Sequence, residues 1–410
     1  MKVLVLNCGS SSVKFQLIET SLEAIEAGAD QMLAKGQVEK IGMATSVVIY
    51  QAGDKPAIKE SATILEHKTA IDRILHLLQH PEHGVIKDKK EIDAVGHRVV
   101  HGGEKFSGSK LINPEILEQI RECIDLAPLH NPANIKGYEV ALQLLPEAPH
   151  CAVFDTAFHQ SMPPRAYLYG LPYVLYQRHA IRRYGFHGTS HRYLTFRLGK
   201  LLGVPRDKVN AITIHLGNGC SMAAVRDGKS IDTTMGFTPL EGLLMGTRTG
   251  DLDPAVLLHI MGKEEIGPYE VNTLINKHSG LLGISGVSND MREVVKASEA
   301  GNERAKWAVE VFCYRVQKYI GAYMTAVGKG LHAIAFTGGI GENAVIVRDM
   351  VCRELDIFDI HVDPKRNEEM IRGKEGPIST DKSRFPVYVI PTNEEMVVAR
   401  DTVRAVEGVI

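Results

Sequence analysis

Three short turns of glycine and serine are the first places in this chain where chemistry could occur. They are Asn7-Cys8-Gly9-Ser10-Ser11-Ser12, Gly217-Asn218-Gly219-Cys220-Ser221 and Gly338-Gly339-Ile340-Gly341-Glu342-Asn343, each directly after an apolar run. Turns of this kind let backbone N–H groups approach an anion without interference from a β-carbon. One such turn is ordinary hairpin geometry; three in one chain point to a clamp for nucleotide phosphates. It is not a P-loop: Gly228-Lys229-Ser230 ends like one, but Ala223 stands where the leading glycine must be. No GxGxxG opens a helix after the first apolar run either. Lys14 follows the first turn and could reach a phosphate, although alone it reads as a solvated lysine. Asn7, at the end of the first run, could join a Mg²⁺ shell through water.

Two arginines stand out. Arg98 lies in the apolar run Val95–Val100, which ends in Gly102-Gly103; Arg248 lies in the small-residue turn Gly246-Thr247-Arg248-Thr249-Gly250-Asp251. A charge in an apolar strand needs a partner. From the residues alone, a buried salt bridge and a guanidinium fork gripping a carboxylate or phosphoryl group stand level. No histidine spacing matches a metal site. His187, between Phe186 and Gly188, is the catalytic candidate; His130, beside a helix start, is a further one. His215, inside a strand, reads as a hydrogen-bonded core residue. Asp155 closes the strand before it, where ligand sites collect in α/β sheets. Thr392 to Glu395 reads as a capping box, with Thr392 as N-cap and Glu395 at the third helical position. That leaves Glu394 without a local task and able to face Mg²⁺.

The elements that position these residues follow from composition. Val3–Leu6, the first turn and Val13–Ile18 predict strand, turn and returning strand. Residues 211–216, the second turn and 222–225 repeat the pattern about 200 residues later, which predicts two domains of similar design. Asn113-Pro114 and Asn131-Pro132 each predict an N-cap with proline at the first helical position, opening helices to about Leu126 and Leu145. Apolar spacing predicts a long helix from Glu303 to Val327. Residues 20–90 are assigned peripheral strands and one helix near 67–80.

Bulk properties narrow the class. A chain of 410 residues exceeds one ordinary core. With 47 basic and 49 acidic residues, the net charge of −2 argues against nonspecific nucleic-acid binding. The six cysteines are irregularly spaced, as free thiols in a reducing compartment are. No apolar run approaches a membrane span. The expectation is a soluble cytoplasmic protein with no nucleic-acid or membrane partner.

The segments Leu6–Lys14 and His215–Ser221 resemble the two signatures of the acetate kinase family. Further matches cover Gly96–Gly103, Pro128–Pro132, Phe154–His159, Phe186–His191, Gly246–Pro254, Gly286–Arg292, Gly338–Asn343 and Pro391–Glu395. Thr249 stands where many relatives carry serine. The resemblance implies an α/β protein of the actin-like (ribonuclease H-like) fold. Two duplicated domains of mixed sheet plus helices would surround a central cleft. The expected domains are 1–155 with 396–410, and 156–395. It implies a homodimer that moves a phosphoryl group reversibly between ATP and acetate, giving acetyl phosphate and ADP, with Mg²⁺ or Mn²⁺. It places Mg²⁺ on Asn7 and Glu394. ATP falls to Lys14, to His215, Leu216, Gly217, Asn218 and Gly219, to Asp290, Met291 and Arg292, and to Gly338, Gly339, Ile340, Gly341 and Glu342. Arg98 and Arg248 take the carboxylate and phosphoryl group, and His187 the transition state. Val100, Leu129, Phe186 and Pro239 line the methyl pocket. The resemblance implies a catalytic role for Asp155, commonly as acid or base; acetate is ionised at neutral pH and needs no general base, so orienting the metal's water shell is the simpler alternative to accepting a proton. The alternatives are a propionate kinase of the same family and an ATP-driven clamp of the same fold.

Overall fold

The computed structural model describes residues 1–128 and 130–410. The chain divides into two compact units, Met1–Ala157 with Asn393–Ile410, and Phe158–Thr392.

The first unit is built on β1 (Lys2–Cys8), β2 (Ser12–Glu19), β3 (Gln31–Glu39), β4 (Ser46–Ala52), β5 (Ile58–Ala62), β6 (Ala94–Val99), β7 (Lys110–Leu111) and β8 (His150–Phe154). Their order in the sheet is β5-β4-β3-β2-β1-β6-β8-β7. β1 is antiparallel to β2 and parallel to β6, which is parallel to β8. A central strand covered on both faces must be apolar throughout, and Val3, Leu4, Val5 and Leu6 are all buried. Leu4, Leu6 and Val95 pack with Ile71, Ile74 and Leu75 of the helix His67–Leu78 and with Val140 of the helix Asn131–Leu144. Val3, Val5 and Val153 pack with Val398, Ala399 and Val403 of the last helix, Glu394–Val406. That helix lies so close to β6 that a β-carbon on Gly96 would come within 2.5 Å of Thr402 Oγ1; only glycine fits.

The second unit repeats the scheme with β9 (Ala211–Leu216), β10 (Cys220–Arg226), β11 (Lys229–Thr233), β12 (Ala333–Thr337), β13 (Gly376–Pro377) and β14 (Val387–Val389). The order is β11-β10-β9-β12-β14-β13. β9 is antiparallel to β10 and parallel to β12, as β1 is to β2 and β6. Leu194 and Leu198 of the helix Gly188–Leu202 cover one face, against Ala211, Ala223 and Ala335. The helix Glu303–Val327 packs on β9, β10 and β11.

Local expectations met five corrections. The segment after Asn113 is a helix only to Glu122, followed by a 3₁₀ turn at Ile124–Leu126. Asn131 is inside its helix, with His130 at the cap position, because the Asn131 carboxamide is committed to the backbone of His101. Thr392 is not a cap: its N–H donates to Glu342, and Asn393 caps the last helix through a bond from Met396 N. Glu395 therefore has no capping bond. In residues 20–90 the helix His67–Leu78 and β3–β5 appear as expected, joined by a short helix, Leu22–Ala27, that the sequence reading lacks. The turn after β12 is a short helix, Gly338–Asn343.

Candidate active site

In the first unit, a cavity of about 230 Å³ opens at the carboxyl ends of β1 and β6. Asn7, Lys14, Arg98, Val100 and His130 line it together with Cys8, Gly9 and Ser12 of the first turn, so five sequence candidates meet here. The parallel pairing of β1 with β6 brings the first turn beside the arginine strand. Arg98 Nε donates to Asp155 Oδ1 at 3.0 Å and its Nη2 to Oδ2, a bidentate fork. Asp155 is almost fully buried. Glu394 stands 3.8 Å from Arg98 Nε. Burial would lower the Arg98 pKa, but Asp155 and Glu394 outweigh it and hold the guanidinium charged. Burial, and then the neighbouring Glu394, push the Glu395 carboxyl up. The fork takes two of the five Arg98 N–H groups and leaves three for a ligand. It also gives Asp155 a task the sequence did not suggest, holding Arg98.

No cluster of three or more His, Cys, Asp or Glu able to cage a metal occurs among the described residues. Asn7 and Glu394 nonetheless offer hard oxygen donors on one unit, and among the described residues the Asn7 side chain makes no hydrogen bond. That donor set fits Mg²⁺, which keeps several waters and takes few protein oxygens.

In the second unit, His187 adopts the left-handed conformation at the start of its helix. Its Nδ1 is 2.8 Å from Ser221 Oγ, which is also 2.8 Å from His191 Nε2. His191 is fixed in turn by Thr213. Burial, with His159 and His215 nearby, holds His191 neutral. A β-carbon at Gly219 would lie 3.5 Å from both His187 Nε2 and Arg248 Nη1, so these groups converge on that turn. Arg248 Nη1 donates to Pro239 O at 3.1 Å. Among the described residues Arg248 has no carboxylate partner, and burial lowers its pKa. The salt-bridge alternative left open by the sequence thus applies to Arg98 and not to Arg248.

A second cavity, about 560 Å³, is lined by Gly217, Asn218, Asp290, Met291, Arg292, Gly339 and Ile340, with Asn289, Asn343 and Ala344 added to the sequence list. Asp290 caps the helix Met291–Glu299 and pairs with Arg292. Gly338 has φ 79°, and a β-carbon there would strike Leu216 O at 2.6 Å. Glu342 turns inward: Oε1 accepts from Gly338 N and Thr392 N, each at 3.0 Å. Leu216 is core, and Gly341 is buried in the same short helix. His215 is stacked on His187 with ring centroids 4.3 Å apart and bonded to Ser190 Oγ at 2.8 Å. Phe186 is buried and its carbonyl meets His159 Nε2 at 3.0 Å. Leu129 lies outside the described residues.

The family model described as the acetokinase family matches residues 2–400. A protein named acetate kinase from Carboxydothermus hydrogenoformans is 52% identical over 406 residues, 99% of each chain. Among solved structures, acetate kinase from Porphyromonas gingivalis superposes with a TM-score of 0.92 at 48% identity, covering 99% of each chain. A propionate kinase from Francisella tularensis does so with a TM-score of 0.89 at 44% identity, covering 98% of each.

Proposed function

This chain belongs to the acetokinase family, and from that premise we propose that it is an ATP:acetate phosphotransferase on the actin-like α/β fold. The observation that carries the reading is Arg248: a half-buried guanidinium with no carboxylate beside it, next to His187 and a glycine turn. A cation so placed is built for an anion that arrives, and a phosphoryl group in transfer is such an anion. With ATP, acetate and Mg²⁺, the protein is expected to form acetyl phosphate, trapped by hydroxylamine as the hydroxamate. ATP hydrolysis without hydroxamate would instead indicate the ATP-driven clamp.

The nucleotide is assigned to the cavity around Gly217, Asp290 and Gly339. Arg248 and His187 meet the transferring phosphoryl group, and the three spare N–H groups of Arg98 hold the acetate carboxylate. Repulsion between the two anions is what the arginines offset. Asp155 positions Arg98; the acetate, already ionised, asks for no base. Mg²⁺ fits Asn7 and Glu394 and, when bound, neutralises phosphate charge. On this assignment Glu394→Ala raises the Mg²⁺ concentration needed for half-maximal rate and slows turnover while the fold persists. Wild-type activity at limiting Mg²⁺ in that variant would remove Glu394 from the metal. A homodimer is what the family resemblance implies, and light scattering measures it.

Val100 favours acetate over propionate. It lines the same cavity as Arg98 and is 9% exposed, so the methyl end of a bound acid meets a medium-sized side chain. One methylene in such a pocket is worth roughly 1–3 kcal/mol of discrimination. Acetate should exceed propionate about tenfold or more in kcat/KM, and Val100→Ala should move the preference toward propionate. Equal use of both acids by the wild type would sink the acetate assignment. No change of preference in the variant would take Val100 out of the pocket.

A further inference from the structure

We propose that Asn134 is a positioning residue that fixes the acetate-binding strand end against the first phosphate turn, replacing strand pairing where the two strands part. The inference rests on the acetate-kinase reading of the same cavity. β1 and β6 pair in parallel from Val3 with Ala94 to Leu6 with His97, and the ladder ends there. Beyond it lie the residues that matter: Asn7 and Gly9 on one side, Arg98 and Val100 on the other. The gap is bridged by one carboxamide. Asn134 Oδ1 accepts from Val100 N at 3.0 Å, and Asn134 Nδ2 donates to Cys8 O at 2.7 Å. The backbone groups settle its orientation, because Val100 N can only donate and Cys8 O can only accept.

The bridge is rigidly seated. Asn134 is 5% exposed, in the first turn of the helix Asn131–Leu144. One turn earlier Asn131, wholly buried, accepts from His101 N and donates to His101 O. The helix therefore holds two successive backbone residues, 100 and 101, through two carboxamides three positions apart, which lie on one face. Gly137 continues that face, and a β-carbon there would come within 2.4 Å of Cys8 Sγ. Val100 and Cys8 are thus set by this helix and not by the sheet. A shift of about 1 Å at reacting groups can cost on the order of 100-fold in rate.

Asn134→Asp isolates the donor bond. It keeps the shape and the acceptor for Val100 N, but sets a carboxylate oxygen against Cys8 O. Burial raises the pKa of such a carboxyl, and the protonated acid donates as the amide does. At pH 8 the variant is expected to lose about tenfold or more in kcat/KM for acetate and to recover toward the wild type at pH 6. The rise in melting temperature that acetate alone gives, without nucleotide or metal, should shrink and recover in step. Asn134→Ser reaches neither partner and should show the loss at both pH values. Parity of Asn134→Asp with the wild type at both pH values would overturn the proposal, and so would a loss that pH does not change. If Asn134→Asp does not fold, Asn134→Ser carries the test: a loss of about tenfold or more in kcat/KM for acetate together with a smaller acetate-induced rise in melting temperature supports the role, and any other result overturns it. A wild type that makes no acetyl phosphate sinks the acetate reading itself. An active wild type beside an indifferent variant sinks only the role of Asn134.

Discussion

Arg248→Lys is expected to lower kcat by about 10²–10³, and the uncharged Arg248→Met to leave thermal stability at or above that of the wild type. The rate loss is the usual consequence of removing a group that stabilises charge in the transition state. Lysine keeps the charge but not the planar fork, and it cannot both hold Pro239 O and present parallel N–H groups to a phosphoryl oxygen. The stability side follows from the missing counter-ion. Burial disfavours the charged form of Arg248, and no carboxylate offsets it. A residue that costs folding energy is kept for what it binds. Steady-state ADP release and a melting curve measure the two halves. Near wild-type kcat in Arg248→Lys and a lowered melting point in Arg248→Met would make Arg248 structural.

Asp155→Ala is expected to do the opposite to stability. It leaves the partly buried Arg98 guanidinium with Glu394, 3.8 Å from Nε, and the more distant Glu395 to balance it. Breaking a buried pair by removing one partner typically costs about 3–5 kcal/mol, and Glu394 moves this case toward the lower figure. Removing both charges, as Arg98→Met with Asp155→Ala, should restore much of the stability, because an apolar pair pays no desolvation penalty. Activity should stay lost, since the carboxylate-binding fork is gone. Urea unfolding of the two variants tests this. A single variant as stable as the wild type would show that the fork is not what holds Arg98.

The contrast between these arginines was not legible in the sequence. Both sit among apolar or small residues, and their difference depends on Asp155, 57 positions from Arg98, arriving just past the end of a neighbouring strand. Local signals did succeed where the cause is local. The strand–turn–strand units at Lys2–Glu19 and Ala211–Arg226 are set by apolar runs broken by glycine and serine. Asn113 caps its helix because nothing else competes for its side chain. Asn131 has the same Asn-Pro signature and does not cap, because His101 claims it from 30 residues away. Asn134 went unnoticed for the same reason. Its clue was its place three residues after Asn131, but asparagine in a first helical turn reads equally well as surface. Thr392 and Asn393 are both competent caps, and Glu342 decided between them by taking the Thr392 N–H.

The last helix, Glu394–Val406, has a consequence for how this chain comes into being. It seals one face of the sheet that begins at Lys2, with Val398, Ala399 and Val403 against Val3, Val5 and Val153. During synthesis that face stays uncovered until residues 394–406 leave the ribosome. Residues 158–392 are contiguous and complete their own sheet earlier. The order of maturation is therefore inverted, the unit that starts first finishing last, with its apolar strands exposed to aggregation or to chaperones in the interval. Ribosome-bound chains stopped before residue 394 should protect the second unit from protease and leave the first open to cleavage.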